Sequence, residues 1–256
     1  MQQHPTAIIS GKAELGENVG VGAYCVIEDD VVIGDGCLID THVSIKSGAR
    51  LGKNVKVFYG AAVGGPPQDL KYAGEKTELY VGDNTVIREF VTLNRGTVAH
   101  GRTEIGSDCL LMAYSHAAHD CIIGDHVILA NSVQMGGHVV IGDWAVIGGA
   151  TVVHQFCHVG EHCMIGGGFR ATRDVMPFTM VAGYPAKYMG VNSIGLKRRG
   201  FSDDTINTLK TLFRYLTSKK LTTAQAMEKI DRQIEKIPEV LRVLEFVGKS
   251  ERGVIK

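Results

Sequence analysis

Proline is scarce, at 6 of 256 residues, and tryptophan occurs once. So few prolines speak against a polyproline linker or a disordered, proline-rich tail. Neither sign of charge is in excess, with 27 basic and 27 acidic residues. That balance argues against a general role on nucleic acid or on a membrane surface. No apolar run reaches the roughly 18 residues needed to span a bilayer, so no integral membrane association is expected. The opening Met1-Gln-Gln-His-Pro5 has neither the charged nor the apolar segment of a secretory leader. The expected location is the cytoplasm. Cysteine pairs of the C-x-x-C kind are also missing although there are six cysteines, so no metal site is expected from them.

What the chain has is glycine, 32 residues, and a period. Ile9, Leu15, Val21, Ile27, Ile33, Ile39, Ile45, Leu51, Val57 and Val63 follow one another at intervals of six. A second track runs at the same interval from Ile105 through Leu111, Ala117, Ile123 and Leu129 to Ala171. A helix repeats near 3.6 and a strand at two, so a period of six means a solenoid of flat faces, each sending one side chain inward. Three faces make an 18-residue coil, and stacked coils form parallel strands roughly 4.8 Å apart. All six cysteines lie four places after a member of the track, a slot for small interior residues. Each is therefore read as a small buried hydrophobe.

The period breaks twice, at 66–79 and at 96–104, and both breaks are read as external loops. Insertions on a rigid repeat scaffold tend to mark its binding face. Past Ala171 the six-fold signal fades, and from Ser202, a candidate helix N-cap, Ile206, Leu209, Leu212, Phe213 and Leu216 recur at helical spacing. Thr222–Ile234 and Pro238–Val247 read as two further helices. The division expected is a β-solenoid over 1–190 and a helical domain over 191–256.

Several motifs then carry a family resemblance across the whole chain. Gln68-Asp-Leu-Lys-Tyr-Ala-Gly-Glu75, Asn94-Arg-Gly-Thr97, His116-x-x-His-Asp120, His154-Gln-Phe-Cys157 and Gly195-Leu-Lys-Arg-Arg-Gly-Phe201 occur in this order. Together they resemble the UDP-N-acetylglucosamine O-acyltransferases of lipid A biosynthesis, members of the hexapeptide-repeat acyltransferases. The resemblance implies a left-handed parallel β-helix with a C-terminal helical domain. It also implies a homotrimer with active sites between subunits. The implied reaction moves an (R)-3-hydroxyacyl group from the phosphopantetheine arm of acyl carrier protein to the 3-hydroxyl of UDP-N-acetylglucosamine, with no tightly bound cofactor.

Residue by residue, His119 matches the general base, and its neighbour Asp120 is a candidate to orient it. A sugar hydroxyl is a weak nucleophile at neutral pH, so a base titrating near 7 must take its proton. Gln68, Asp69, Lys71, His116, His138, His154, Gln155 and Asn192 match positions around the sugar nucleotide. Arg198 and Arg199 are candidates for phosphate contacts, since arginine binds phosphate bidentately. Gly167 matches a position where a small residue admits a long acyl chain, although Tyr184-Pro185 replaces an Asn-His pair of other members. Coil arithmetic stacks His138 on Asp120, and puts Gly137 and then Gln155 in the column of His119. That glycine is expected to leave room for substrate beside the base.

Three rivals stand beside this reading. A related N-acyltransferase normally carries an N-terminal uridine-binding domain, for which repeats starting at Ile9 leave no space. A zinc carbonic anhydrase of the same fold needs three converging histidines, and a pure scaffold needs no base at all.

Overall fold

The structure is a computed structural model that describes residues 2–256, the side chains of residues 2 and 223 excepted. Short strands, mostly two residues long, line up in three sheets of 11, 9 and 8 strands, parallel throughout except for the last strand of the first sheet. Each chain turn visits the three faces once. Gln134, for example, pairs with Val152 on the next coil, and Ile128 pairs with Val146. The second residue of each pair points inward and is buried, as at Ile27, Leu111, Ile123, Leu129 and Ile147. The apolar track of period six is thus the interior column of a parallel β-helix.

Corners between faces turn through one residue in the left-handed region, including Asp120 at φ 58° and His138 at φ 60°. Here that conformation falls largely on Asn, Asp, His and aromatic residues rather than on glycine. Corner residues stack along the prism: Trp144, His162 and Phe178 form one aromatic column, with Phe201 edge-on to His162. The cysteines occupy interior slots as expected. They are buried and free. Most donate S–H to a carbonyl on the next coil, as Cys109 does to Gly124 and Cys121 to Gly136. Burial pushes the Cys121 and Cys163 thiols up to about 12, so they stay protonated and inert.

Two coils are longer than the rest. Ala62 pairs with Thr92, and Thr92 with His116, where other coils pair residues 18 apart. The extra residues leave the prism as loops 66–77 and 95–101, both at the corner between the second and third sheets. Pairing resumes at Glu78 and Arg102, a little earlier than the period alone indicates.

The last coil ends in an antiparallel pair, Thr179–Ala182 with Lys187–Val191. Four helices follow: α1 (Ser193–Arg198), α2 (Asp203–Leu216), α3 (Thr223–Gln233) and α4 (Pro238–Lys249). Ser202 caps α2 by accepting from the Thr205 N–H, and Thr222 and Gln225 form a capping box on α3. Helix α1 was not legible as a helix, because its six residues carry no apolar stripe. The helices bury Ile206, Leu209, Leu212 and Phe213 against Met176 and Phe178 of the final coil. Among the described residues no helix is long and apolar enough to cross a membrane.

His162 gives this packing a pH dependence. Burial, then the charges of Arg199 and Arg242, push its imidazole from 6.5 down to about 4. It stays neutral when folded but takes a proton near 6.5 when unfolded. Its contribution is therefore complete above pH 6.5 and fades as pH falls toward 4. Urea midpoints should drop over that window by an amount reflecting at most about 3 kcal/mol. His162→Phe should flatten the decline; an equally steep decline in the variant would assign it to other groups.

Candidate active site

The corner that releases both loops also carries His119. Its backbone turn places the imidazole beside the Asp120 carboxylate, with His119 Nδ1 2.7 Å from Asp120 Oδ2. Asp120 is 0% exposed. It does not face the apolar interior unpaired, because the Thr97 N–H donates to Oδ1 at 2.9 Å and the Thr97 hydroxyl to Oδ2 at 2.7 Å. Burial pushes the Asp120 carboxyl up, but the hydrogen bonds from His119 and Thr97 outweigh it and hold the carboxyl below its ordinary value. Asp120 is an anion at neutral pH. With Nδ1–H directed at that anion, Nε2 of His119 carries the free lone pair.

His138 sits on the next coil, with Nε2 3.6 Å from Asp120 Oδ2 and its ring edge-on to His119. It stacks on Phe156 one coil further along, the centroids 4.6 Å apart, and meets His100 of the second loop edge-on. Burial lowers its pKa, partly countered by the charges of Asp120 and Asp69. Asp69, in the first loop, thus acts on the same corner, while its own Oδ1 accepts from the Lys71 N–H. Gln68 and Lys71 are exposed on that loop.

Gly137 departs from expectation. A Cβ built on it would lie 2.5 Å from Cε1 and 2.7 Å from Nε2 of His119. The missing side chain makes room for the imidazole itself, not for a substrate beside it. Gln155 follows in the same column, against Gly136. His154 turns Nδ1 to the Gln155 carbonyl, and His116 contacts the Thr92 hydroxyl at 2.7 Å through Nδ1. Burial lowers the His116 pKa. Among the described residues no three histidines bring their ring nitrogens within metal-ligand distance of one another. The one cluster of ligand-type atoms among the described residues is His119, Asp120 and His138, and protein donors already hold both oxygens of its carboxylate.

The remaining candidates lie elsewhere. Asn192 is buried as the cap of α1, accepting from the Gly195 N–H and donating to the His162 carbonyl. Arg199 lies over the Trp144 ring, 5.1 Å from its centroid, and donates to the Trp144 carbonyl; Arg198 is exposed beside it. Both belong to the corner between the third and first sheets. Gly167 lies exposed at the corner between the first and second sheets, against the Gly149 carbonyl. One chain therefore holds His119, Asp120, His138, Gln155 and Asp69 at one corner, and the arginines and Gly167 at the two others.

Two family descriptions match: bacterial transferase hexapeptide repeats over 12–47 and 102–137, and domain 2 of UDP-N-acetylglucosamine O-acyltransferase over 174–255. A protein of Thermodesulfovibrio yellowstonii, named acyl-[acyl-carrier-protein]–UDP-N-acetylglucosamine O-acyltransferase, is 46% identical over 254 residues, spanning 99% of this chain and 98% of its own. The chain belongs to the UDP-N-acetylglucosamine O-acyltransferase family. Solved members superpose over their full length. LpxA of Acinetobacter baumannii matches at a TM-score of 0.96 and 41% identity, covering 100% of both chains. LpxA of Bacteroides fragilis, described as a UDP-N-acetylglucosamine acyltransferase, matches at 0.97 and 41%, covering 99% of each. The fold is accordingly the family's left-handed β-helix with its C-terminal helical domain.

Sequence reasoning missed three parts of this candidate site. Phe156 continues the 18-residue column of Asp120 and His138 and could have been counted out. Thr97 was visible only as the end of a motif and His100 lies in a loop without a period, so their contacts with Asp120 and His138 are not encoded in spacing along the track.

Proposed function

We propose that this chain transfers an (R)-3-hydroxyacyl group from acyl carrier protein to the 3-hydroxyl of UDP-N-acetylglucosamine, the first step of lipid A biosynthesis. The observation that carries the reading is the His119–Asp120 pair, set at the one corner from which both loops emerge in a chain of this family. Nε2 of His119 takes the sugar hydroxyl proton as the oxygen attacks the thioester carbonyl. The tetrahedral intermediate then expels the phosphopantetheine thiolate, and the His119 imidazolium returns the proton to sulfur. Asp120 fixes the tautomer and stabilises the imidazolium.

In this reading Gln68, Asp69, Lys71, His116, His138, His154 and Gln155 surround the sugar nucleotide. Asn192, Arg198 and Arg199 reach the same substrate or the donor's phosphates from a neighbouring subunit. A homotrimer supports that arrangement, because one chain divides these residues between separate corners. The outward apolar row Leu110, Ile128, Val146 and Met164 on the first sheet is the surface such packing would cover. The donor arrives on the phosphopantetheine arm of acyl carrier protein, no bound cofactor takes part, and the enzyme works in the cytoplasm.

The test is to incubate purified protein with UDP-N-acetylglucosamine and a series of 3-hydroxyacyl carrier proteins, reading products by mass spectrometry. A mass gain of one hydroxyacyl group supports the reading; no product with any donor overturns it. The same series tests Gly167. With a small residue there a long chain should be preferred, and Gly167→Met should move the preference several carbons shorter. An unchanged preference would remove Gly167 from the acyl groove.

A further inference from the structure

We infer that Thr97, delivered by the second loop, is the positioning residue that locks the Asp120 carboxylate onto the catalytic histidine. The inference rests on the acyl-transfer reading above.

Loop 95–101 is built to bring Thr97 to this point. Arg95 anchors its root, donating to the Ser47 and Gly64 carbonyls and to the Tyr72 hydroxyl of the first loop. Gly96 follows, where a Cβ would lie 2.4 Å from the Arg102 backbone nitrogen. Only glycine lets the loop's two ends pass that closely. The Gly101 N–H then closes the turn on the Thr97 carbonyl at 2.7 Å.

Thr97 itself is 8% exposed and supplies both of the carboxylate's non-histidine hydrogen bonds. The direction of its hydroxyl is fixed. The Ala99 N–H donates to Thr97 Oγ1 at 3.2 Å, which occupies a lone pair and leaves the hydroxyl proton for Asp120 Oδ2. That oxygen also receives His119 Nδ1–H, and His138 Nε2 stands 3.6 Å from it. With Oδ1 held by the Thr97 N–H, the carboxylate plane cannot rotate toward His138. Thr97 thus decides which of two imidazoles the buried anion serves.

The titratable groups around the pair are few. His119 faces Asp120, His138 and His116, and His138 in turn faces His100 and Asp69 from the two loops. Removing the Thr97 hydroxyl leaves more negative charge on Oδ2 for the imidazolium. The acid limb of the rate profile, where His119 must be neutral to act, should then move to higher pH.

The experiment compares wild type, Thr97→Val, Thr97→Ala and Thr97→Ser in the mass-spectrometric assay, with full pH profiles. Thr97→Val and Thr97→Ala should lower kcat about 10- to 100-fold with KM for UDP-N-acetylglucosamine within threefold. Their acid limb should move to higher pH. Thr97→Ser, which keeps the hydroxyl, should recover most of kcat and the wild-type limb. A hydroxyl-free variant with kcat within twofold of wild type, or a Ser variant as impaired as Val, overturns the inference while leaving acyl transfer intact. Should both hydroxyl-free variants fail to fold, the Ser variant decides, since a serine kcat below one tenth of wild type contradicts a role for the hydroxyl. No transfer by wild type would instead overturn the reaction, and this inference with it.

Discussion

His119→Ala lowers kcat for acyl transfer by a factor of about 10² to 10⁴, the range general-base catalysis supplies, while KM for the sugar nucleotide stays near its wild-type value. The side chain is 13% exposed, enough to meet a substrate, and its Nε2 is the one imidazole nitrogen of the pair not engaged with Asp120. The change takes one hydrogen bond from the buried Asp120 carboxylate but leaves both from Thr97, so the unfolding midpoint should fall only modestly beside the loss of rate. Steady-state rates at saturating donor give the number directly. A variant within fivefold of wild type would mean that the hydroxyl proton leaves by another route, with His138 the next group to examine.

Gly137→Ala is the second large effect, and it isolates geometry from chemistry. The glycine's φ lies outside the left-handed region, so alanine suits the backbone. Its Cβ, however, would overlap the His119 ring at Cε1 and Nε2. The coil cannot yield, because the His138 N–H is bonded to the His119 carbonyl and the Phe156 N–H to the Gly137 carbonyl. The ring must turn away, breaking its 2.7 Å contact with Asp120. Displacing a catalytic group by about 1 Å can cost about 10²-fold, so kcat should fall by at least that factor in a protein of normal thermal stability. Near-normal activity would show that the imidazole works in an orientation other than the one over Gly137.

The two variants also show what could be read from the sequence and what could not. A six-residue track is legible because each coil repeats one physical demand, an apolar side chain turned inward at a fixed step. The cysteines were placed correctly by the same rule, since their slot recurs at a constant offset. His119 and Asp120 stood out by interrupting that pattern. Gly137 was located in the correct column but misread, because the column says that two residues are stacked and not which of them leans over the other. Thr97 reaches Asp120 from a loop with no period, so its partner could not be counted out. Asn192 stood beside the candidate arginines, but that its side chain also caps α1 and holds the His162 carbonyl could not be read, because the carbonyl lies 30 residues away on the prism.

The prism also behaves as a winding mechanism with a phase. Every residue's direction is set by how many steps precede it, modulo one coil. An insertion of 18 residues within a coil would lengthen the shaft by one strand spacing, roughly 4.8 Å, and leave every later side chain facing as before. An insertion of six would instead advance everything beyond it by one face. His119 and Asp120 would keep their mutual contact, being neighbours, but Trp144 and the arginine seated on it would swing to a different side of the shaft. The extra residues at 66–77 and 95–101 are harmless to this timing only because they loop out at a corner and rejoin in register, with Leu79 still paired to Ala49 and Thr103. Tolerance to length change in this chain should therefore follow the angular position of the cut rather than its distance from the catalytic pair.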